Sequence, residues 1–327
     1  MEYFLRCYFE QFASLPRNSL HDRRKRQSMV DYISTMIEGC STVETNVDES
    51  AKIAIKTIVK YHEENKSENG NVCMMGKYHN ILYIAVKLCF VWQIKDPPTV
   101  TQLLEEIFRC ENTFERILIG AIFGGKAPHY VAGWKSDFAS EEENLRAVVY
   151  FLDKANKGKL LLKPHRDQET YRFVDTPMES CGKASPLKIC VQLGLPDKLL
   201  ILLRFGARIH HQHAIIEHLL NRLLEFNRVY PYNLVSCLQL LLRATERIPT
   251  EDLVDPDLRK LMYDKYCVLV EDGLIPPSRC GIIPVELKHL CRCSVREYLW
   301  RNHGLPDGLK SLKIPEDLRR YLDLLQD

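Results

Sequence analysis

The residues best equipped for chemistry stand in two short stretches. Residues 120–127 read GAIFGGKA, the Gly-x4-Gly-Lys spacing with which a loop cradles phosphates through its backbone N–H groups. The AVVYFLD run at 147–153 imitates an apolar strand ending in a magnesium-binding aspartate. The loop fails at its next residue, because Ala127 offers no oxygen where magnesium needs Ser or Thr. Ile122 and Phe123 are also bulky for a backbone that must wrap an anion, and 145–154 reads equally well as a helix. The second stretch, His210, His211, Gln212 and His213 with His218 beyond, gathers metal-ligating types. Adjacent histidines point in different directions, and no i, i+4 His pair or Cys partner completes four ligands. They read as exposed turn residues. Neither a nucleophile elbow nor a His-Glu-x-x-His motif occurs. The sequence argues for a non-catalytic chain, not an enzyme, with no cofactor and no metal.

Composition narrows the class. The twelve cysteines are irregularly spaced, with no Cys-x-x-Cys pair, and Cys89, Cys190, Cys237 and Cys291 fall on apolar faces. Reduced, mostly buried thiols are the expectation. With 46% hydrophobic and 27% charged residues and a net charge of +2, the composition is that of a globular protein. It argues against a nucleic-acid partner. Glu2, Arg6 and Glu10 interrupt any signal-peptide core, and no run of 18 apolar residues exists for a membrane span. A cytoplasmic location is expected.

The elements are helical throughout. Residues 1–75 carry apolar spacing at 28–36 and 51–61, separated by a polar loop at 40–50, and end in a polar linker at 63–71. The basic run HDRRKRQ at 21–27 reads as a solvated helix start. At the other end of the chain, Pro284, Pro306 and Pro315 each suit the first position of a helix. After Pro284 the apolar residues Val285, Leu287, Leu290, Cys291, Val295, Tyr298 and Leu299 form a stripe, with Lys288, His289, Arg292 and Arg296 on the other side. Gly304 is placed to close that helix in the left-handed conformation. Three short helices in 284–327 cannot bury much core, and the stripe has more apolar surface than two short neighbours can cover. This looks like a docking module.

The segment resembles a SOCS box. Its first helix is similar to that family's elongin-binding box, with Leu287, Cys291 and Val295 in register and Arg292 and Arg296 as the family has them. Glu286 departs from the Ser, Thr or Pro common before the Leu. The second half resembles the cullin-5-binding box through Leu312, Ile314 and Pro315, then Leu318, Tyr321 and Leu322; Lys313 replaces a family proline. The resemblance implies elongin C contacts at Leu287, Leu290, Cys291, Val295 and Tyr298. It implies cullin contacts at Leu312, Ile314, Pro315, Leu318 and Tyr321.

Residues 184–209, ASPLKICVQLGLPDKLLILLRFGARI, resemble an ankyrin repeat. Ser185, Pro186 and Leu187 open the first helix, with Lys188 in place of the family His. Gly194 turns between helices, and Leu202, Leu203, Gly206 and Ala207 close the second. Weaker pairs are expected at 80–86 with 100–108, at 114–123 with 141–154, and at 214–226 with 232–245, with 97–98 as a Pro-Pro insertion. Leu202 and Leu241 lie 39 residues apart, against an ankyrin period of about 33.

The expected fold is all-α. Residues 1–75 form an N-terminal helical region, and 76–250 hold degenerate ankyrin-like helix pairs stacked as a solenoid. A connector follows at 251–283, with a helix at 257–269, and then a three-helix SOCS box at 284–327. This is the arrangement of the ankyrin repeat and SOCS box family. The resemblance implies a substrate-recognition adaptor that binds elongin B, elongin C and cullin-5 with its RING partner, and a protein substrate through the array. An alternative is a non-degradative scaffold that uses elongin association to stabilise a partner. Loops at 124–140 and 166–182 are the expected specificity determinants.

Overall fold

The structure, a computed structural model, describes residues 1–11, 20–40, 46–66, 79–124, 136–164, 169–208, 213–248 and 256–327. Its contacts divide the chain into two units, residues 1–183 and 184–327, so one division falls inside the stretch expected to form a single array. Among the described residues there is no strand, only one isolated bridge between Leu162 and Tyr171. The expected all-α class holds.

The first unit contains α1 (Glu2–Gln11), α2 (Leu20–Cys40), α3 (Val47–Asn65), α4 (Ile81–Val91), α5 (Pro97–Glu111), α6 (Glu115–Phe123) and α7 (Glu141–Lys157). Local chemistry sets the starts. Asn46 accepts from Asp48 N at α3, Asp96 accepts from Thr99 N at α5, and Ser140 accepts from Glu143 N at α7, each satisfying an orphan donor of the first turn. Pro97 and Pro98 are not an insertion. They occupy the first positions of α5, where no N–H is needed. Every residue of α4 from Ile81 to Phe90 is buried, as an apolar helix at the centre of a stack must be.

The helices pair as α2 with α3, α4 with α5 and α6 with α7, and successive pairs touch through α2 and α4, α3 and α5, and α5 and α7. The N-terminal region therefore contributes a pair of its own to the stack. Residues 120–123 lie in α6 and 147–153 in α7, so the first half of the phosphate-loop spacing sits on helix; Gly125, Lys126 and Ala127 lie outside the described residues.

The second unit holds α8 (Pro186–Leu193), α9 (Pro196–Arg204), α10 (His213–Leu224), α11 (Tyr232–Ala244), α12 (Pro256–Glu271), α13 (Leu287–Arg301), α14 (Gly308–Ser311) and α15 (Glu316–Leu322). Ser185 caps α8 through Lys188 N, with Pro186 at the first turn. Gly194 (φ +64°) and Gly206 (φ +86°) supply the left-handed turns, while Leu187, Leu202, Leu203 and Ala207 are buried. Contacts link α8 to α9 and α10 to α11, and also α8 to α10 and α9 to α11. First helix stacks on first and second on second, so each pair covers a face that its neighbour cannot bury alone. Of the histidine cluster, His210 and His211 lie outside the described residues, and His218 is exposed on α10.

The C-terminal prolines are displaced from their expected positions. Pro284 precedes α13 by three residues, Pro306 precedes α14 by two, and Pro315 is the cap of α15 rather than its first residue. The left-handed residue after α13 is His303 (φ +56°), not Gly304; Gly304 N donates to Leu299 O at 2.7 Å.

Gly206 meets a second constraint. A Cβ there would lie 2.8 Å from Trp300 Cδ1, whereas one on Gly273 (φ +72°) would meet nothing within 4 Å. Gly206→Ala is therefore expected to lower stability by about 2–4 kcal/mol, strain plus overpacking, and Gly273→Ala by about 1–2 kcal/mol. Equilibrium denaturation of the two variants checks this.

Candidate docking surface

Helix α13 is built inside out. Its buried row is His289, Arg292, Arg296 and Leu299. The row at i, i+4, i+7 and i+11, namely Leu287, Cys291, Ser294 and Tyr298, is exposed. Leu287 is 76% and Tyr298 69% accessible, and Leu290 and Val295 are half-buried at the margin.

Helix C-termini explain the inversion. The last carbonyls of a helix have no intrahelical partner and carry partial negative charge, and three such ends converge on one side of α13. Arg296 donates to Leu203 O in the last turn of α9 at 2.5 Å and to Leu322 O at the end of α15 at 2.9 Å. Arg292 reaches Gln326 O at 3.2 Å, and its guanidinium lies 3.8 Å from the Tyr321 ring centroid. His289 Nε2 donates to Thr245 O, the cap of α11, at 2.8 Å, while its Nδ1 accepts from Arg292 at 3.2 Å. That pair of contacts defines a neutral ring with the proton on Nε2.

Carboxylates of the C-terminal tail complete the clamp. Asp323 takes the Arg204 guanidinium in a fork with a closest approach of 2.6 Å, and Asp327 takes Arg243 at 2.7 Å. Burial pulls the Arg296 pKa down to about 10, which leaves it charged at neutral pH. Glu286 stands at the N-cap position of α13 without capping it through its side chain; its carboxylate binds Arg279 at 2.8 Å, and that hydrogen bond holds the carboxyl at about 2.

An apolar cluster of Leu299, Leu305, Leu309, Tyr321 and Leu322 closes the three helices. Of the residues expected to face a cullin, Pro315 and Leu318 are exposed and Leu312 and Ile314 half-buried. Tyr321 is buried beneath Arg292 and Lys288. Sequence reasoning placed the basic residues opposite the stripe but did not show that they face inward. The signal was available as Arg292 and Arg296, four apart on a helix and in line with His289.

Cys293 lies 3.5 Å from His289 Nε2, but burial pushes its thiol up, away from the reactive thiolate. The described residues contain no disulfide. Cys291 is exposed, as the uncovered stripe requires, but the expected mostly buried thiols are not found: of the cysteines among the described residues only Cys89, Cys190 and Cys237 are buried. The metal-ligating group present among the described residues is elsewhere, in the first unit: His62, His79 and Cys110.

Comparison with known proteins identifies the same segment. The SOCS box family model matches residues 284–323. Ankyrin repeat and SOCS box protein 17 of Homo sapiens is 54% identical over 41 residues, 12% of this chain and 14% of that protein. The Canis lupus familiaris protein of that name is 51% identical over 41 residues, again 12% of this chain and 14% of its own length. That of Mus musculus is 48% identical over 50 residues, 15% of this chain and 17% of its own. The chain matches about a seventh of the length of these curated relatives. No solved structure is significantly similar to it. The C-terminal segment is a SOCS box, and over that segment the chain is similar to ankyrin repeat and SOCS box proteins. No described helix is long and apolar enough to cross a membrane.

His289 gives the clamp a pH dependence. Burial lowers its pKa, and Arg279 and Arg292 add to this, against the opposing pull of the Thr245 carbonyl and Glu286. A histidine whose folded pKa is depressed contributes fully above its unfolded value of about 6.5 and loses that contribution as pH falls through the folded value. Denaturation midpoints should therefore decline below about pH 6.5. His289→Gln, which keeps a donor for Thr245 and an acceptor for Arg292, should flatten the decline above about pH 4.5, below which the unfolded chain's carboxyls take up protons and the stability from the lowered Glu286 carboxyl begins to be lost. Equal slopes in both proteins would contradict the assignment.

Proposed function

We propose that this chain is a substrate-recognition adaptor of an elongin B/C–cullin-5 RING ubiquitin ligase. In this reading Leu287, Leu290, Cys291, Val295 and Tyr298 dock on elongin C. Leu312, Ile314, Pro315 and Leu318 face the cullin, with Tyr321 supporting them from below. The stacked helix pairs hold a protein target, and the contribution to ubiquitin transfer is proximity and orientation rather than bond chemistry. The observation that carries the reading is the exposure of Leu287, at 76%, on a SOCS-box helix whose charged side is turned inward.

A second reading rests on one residue. Lys313 is exposed and charged where the resembling family has a proline, which favours a scaffold that binds elongins but engages cullin-5 weakly. Strong elongin capture with little cullin-5 capture would select it.

Burying a leucine that stands in water contributes about 1.5–3 kcal/mol, one to two powers of ten in affinity. Leu287→Ala combined with Cys291→Ala is expected to abolish co-purification of elongins B and C. Because both residues are exposed, the folding stability of the double variant should stay within about 0.5 kcal/mol of the parent. Undiminished elongin recovery from the folded double variant would refute the proposal.

A further inference from the structure

The first unit gathers a set of side chains that the docking surface does not use. His62 in the last turn of α3, His79 just ahead of α4 and Cys110 in the last turn of α5 bring their ligand-type atoms within 4.8 Å of one another. His62 and His79 are buried, and Cys110 is half-buried. We propose that His62, His79 and Cys110 form a binding site for a divalent transition metal of the zinc class, clipping α3 and α5 to the start of α4.

The distances suit that chemistry. Zinc–nitrogen bonds of about 2.0–2.1 Å and a zinc–sulfur bond of about 2.3 Å at a tetrahedral angle put the two ligand atoms about 3.5 Å apart. His62 Nε2 lies 3.7 Å from Cys110 Sγ.

Both rings are oriented as ligands are. His62 Nδ1 is 3.0 Å from Glu106 Oε1, so its ligating atom is Nε2, on the cysteine side. His79 Nε2 is 2.5 Å from Glu111 Oε1, so its ligating atom is Nδ1. A metal-bound histidine characteristically donates its other ring N–H to a carboxylate, which fixes the tautomer. Here both rings do so, His62 from α3 and His79 from the turn ahead of α4, each onto a carboxylate of α5.

The carboxylates are themselves held. Tyr83 Oη donates to Glu111 Oε2 at 2.7 Å, and Lys66 and Arg109 bind Glu106. Each carboxylate takes the N–H of its ring, which leaves His62 Nε2 and His79 Nδ1 as the ring nitrogens a metal would bind. Two imidazoles and a thiolate select zinc or its neighbours over magnesium or calcium, with water completing the fourth position.

The rival account is a pair of satisfied histidine–carboxylate contacts beside a cysteine packed as a hydrophobe. Full-length chain prepared without chelator and titrated with zinc distinguishes the two by metal content per chain. The site predicts about one zinc per chain, falling at least tenfold in Cys110→Ala and in His79→Ala, and a melting temperature that chelator lowers in the parent alone. Zinc X-ray absorption on the parent protein should show one sulfur and two imidazole ligands, which decides the matter even where the variants do not fold. Less than about a tenth of a zinc per folded chain, full retention in folded Cys110→Ala, or a shell without sulfur would overturn the proposal.

Discussion

Everything at the C-terminus depends on where the ends of α9, α11 and α15 point. Their last carbonyls converge on the side of α13 that carries His289, Arg292 and Arg296. Rolling α13 to hide Leu287 and Cys291 would withdraw two guanidinium groups from those partners. Stranding a buried charge costs about 3–5 kcal/mol, whereas burying one leucine returns about 1.5–3 kcal/mol. The polar side wins the interior, and the apolar side is left to water.

That outcome connects the two halves of the second unit. A three-helix segment of this size is too small to stabilise itself, and the helix pair α8–α9 supplies the missing surface. Leu203, Arg204 and Gly206, residues at the close of α9, serve at the same time as acceptor, ion-pair partner and contact for Trp300. Folding of the pair and presentation of the docking face are therefore one event in this chain. Gly206 shows it most plainly, since its conformation is demanded by the turn and its lack of a side chain by the neighbouring indole.

The parts that could be read from sequence alone are those governed by local rules. Ser185 before Pro186, the 3.6-residue stripes of α3 and α11 and the Leu-Leu-x-x-Gly-Ala close of α9 each specify themselves over a turn or two. The order SOCS box after stacked pairs followed from them. What eluded the sequence is set by distant partners. His303 rather than Gly304 takes the left-handed turn because Gly304 must come close to Leu299. The pair α2–α3 is recognisable only through its packing on α4 and α5, since its caps and periods match no repeat. Tyr321 reads as a surface residue until Arg292 lies over it. His62, His79 and Cys110 come from three separate elements, so no spacing announces them. The contiguous histidines at 210–213 drew attention instead because they were adjacent.

The most direct test of the central claim is thiol labelling of the folded chain, followed residue by residue with a maleimide. Cys291 and Cys293 lie two residues apart on α13, one exposed and the other half-buried with its thiol pushed up by burial. The orientation described here predicts rapid labelling of Cys291 and slow labelling of Cys293 in the isolated protein, with Cys291 protected once elongins B and C are added. Protection of Cys291 in the isolated, folded chain, or labelling unchanged by saturating elongin, would contradict it.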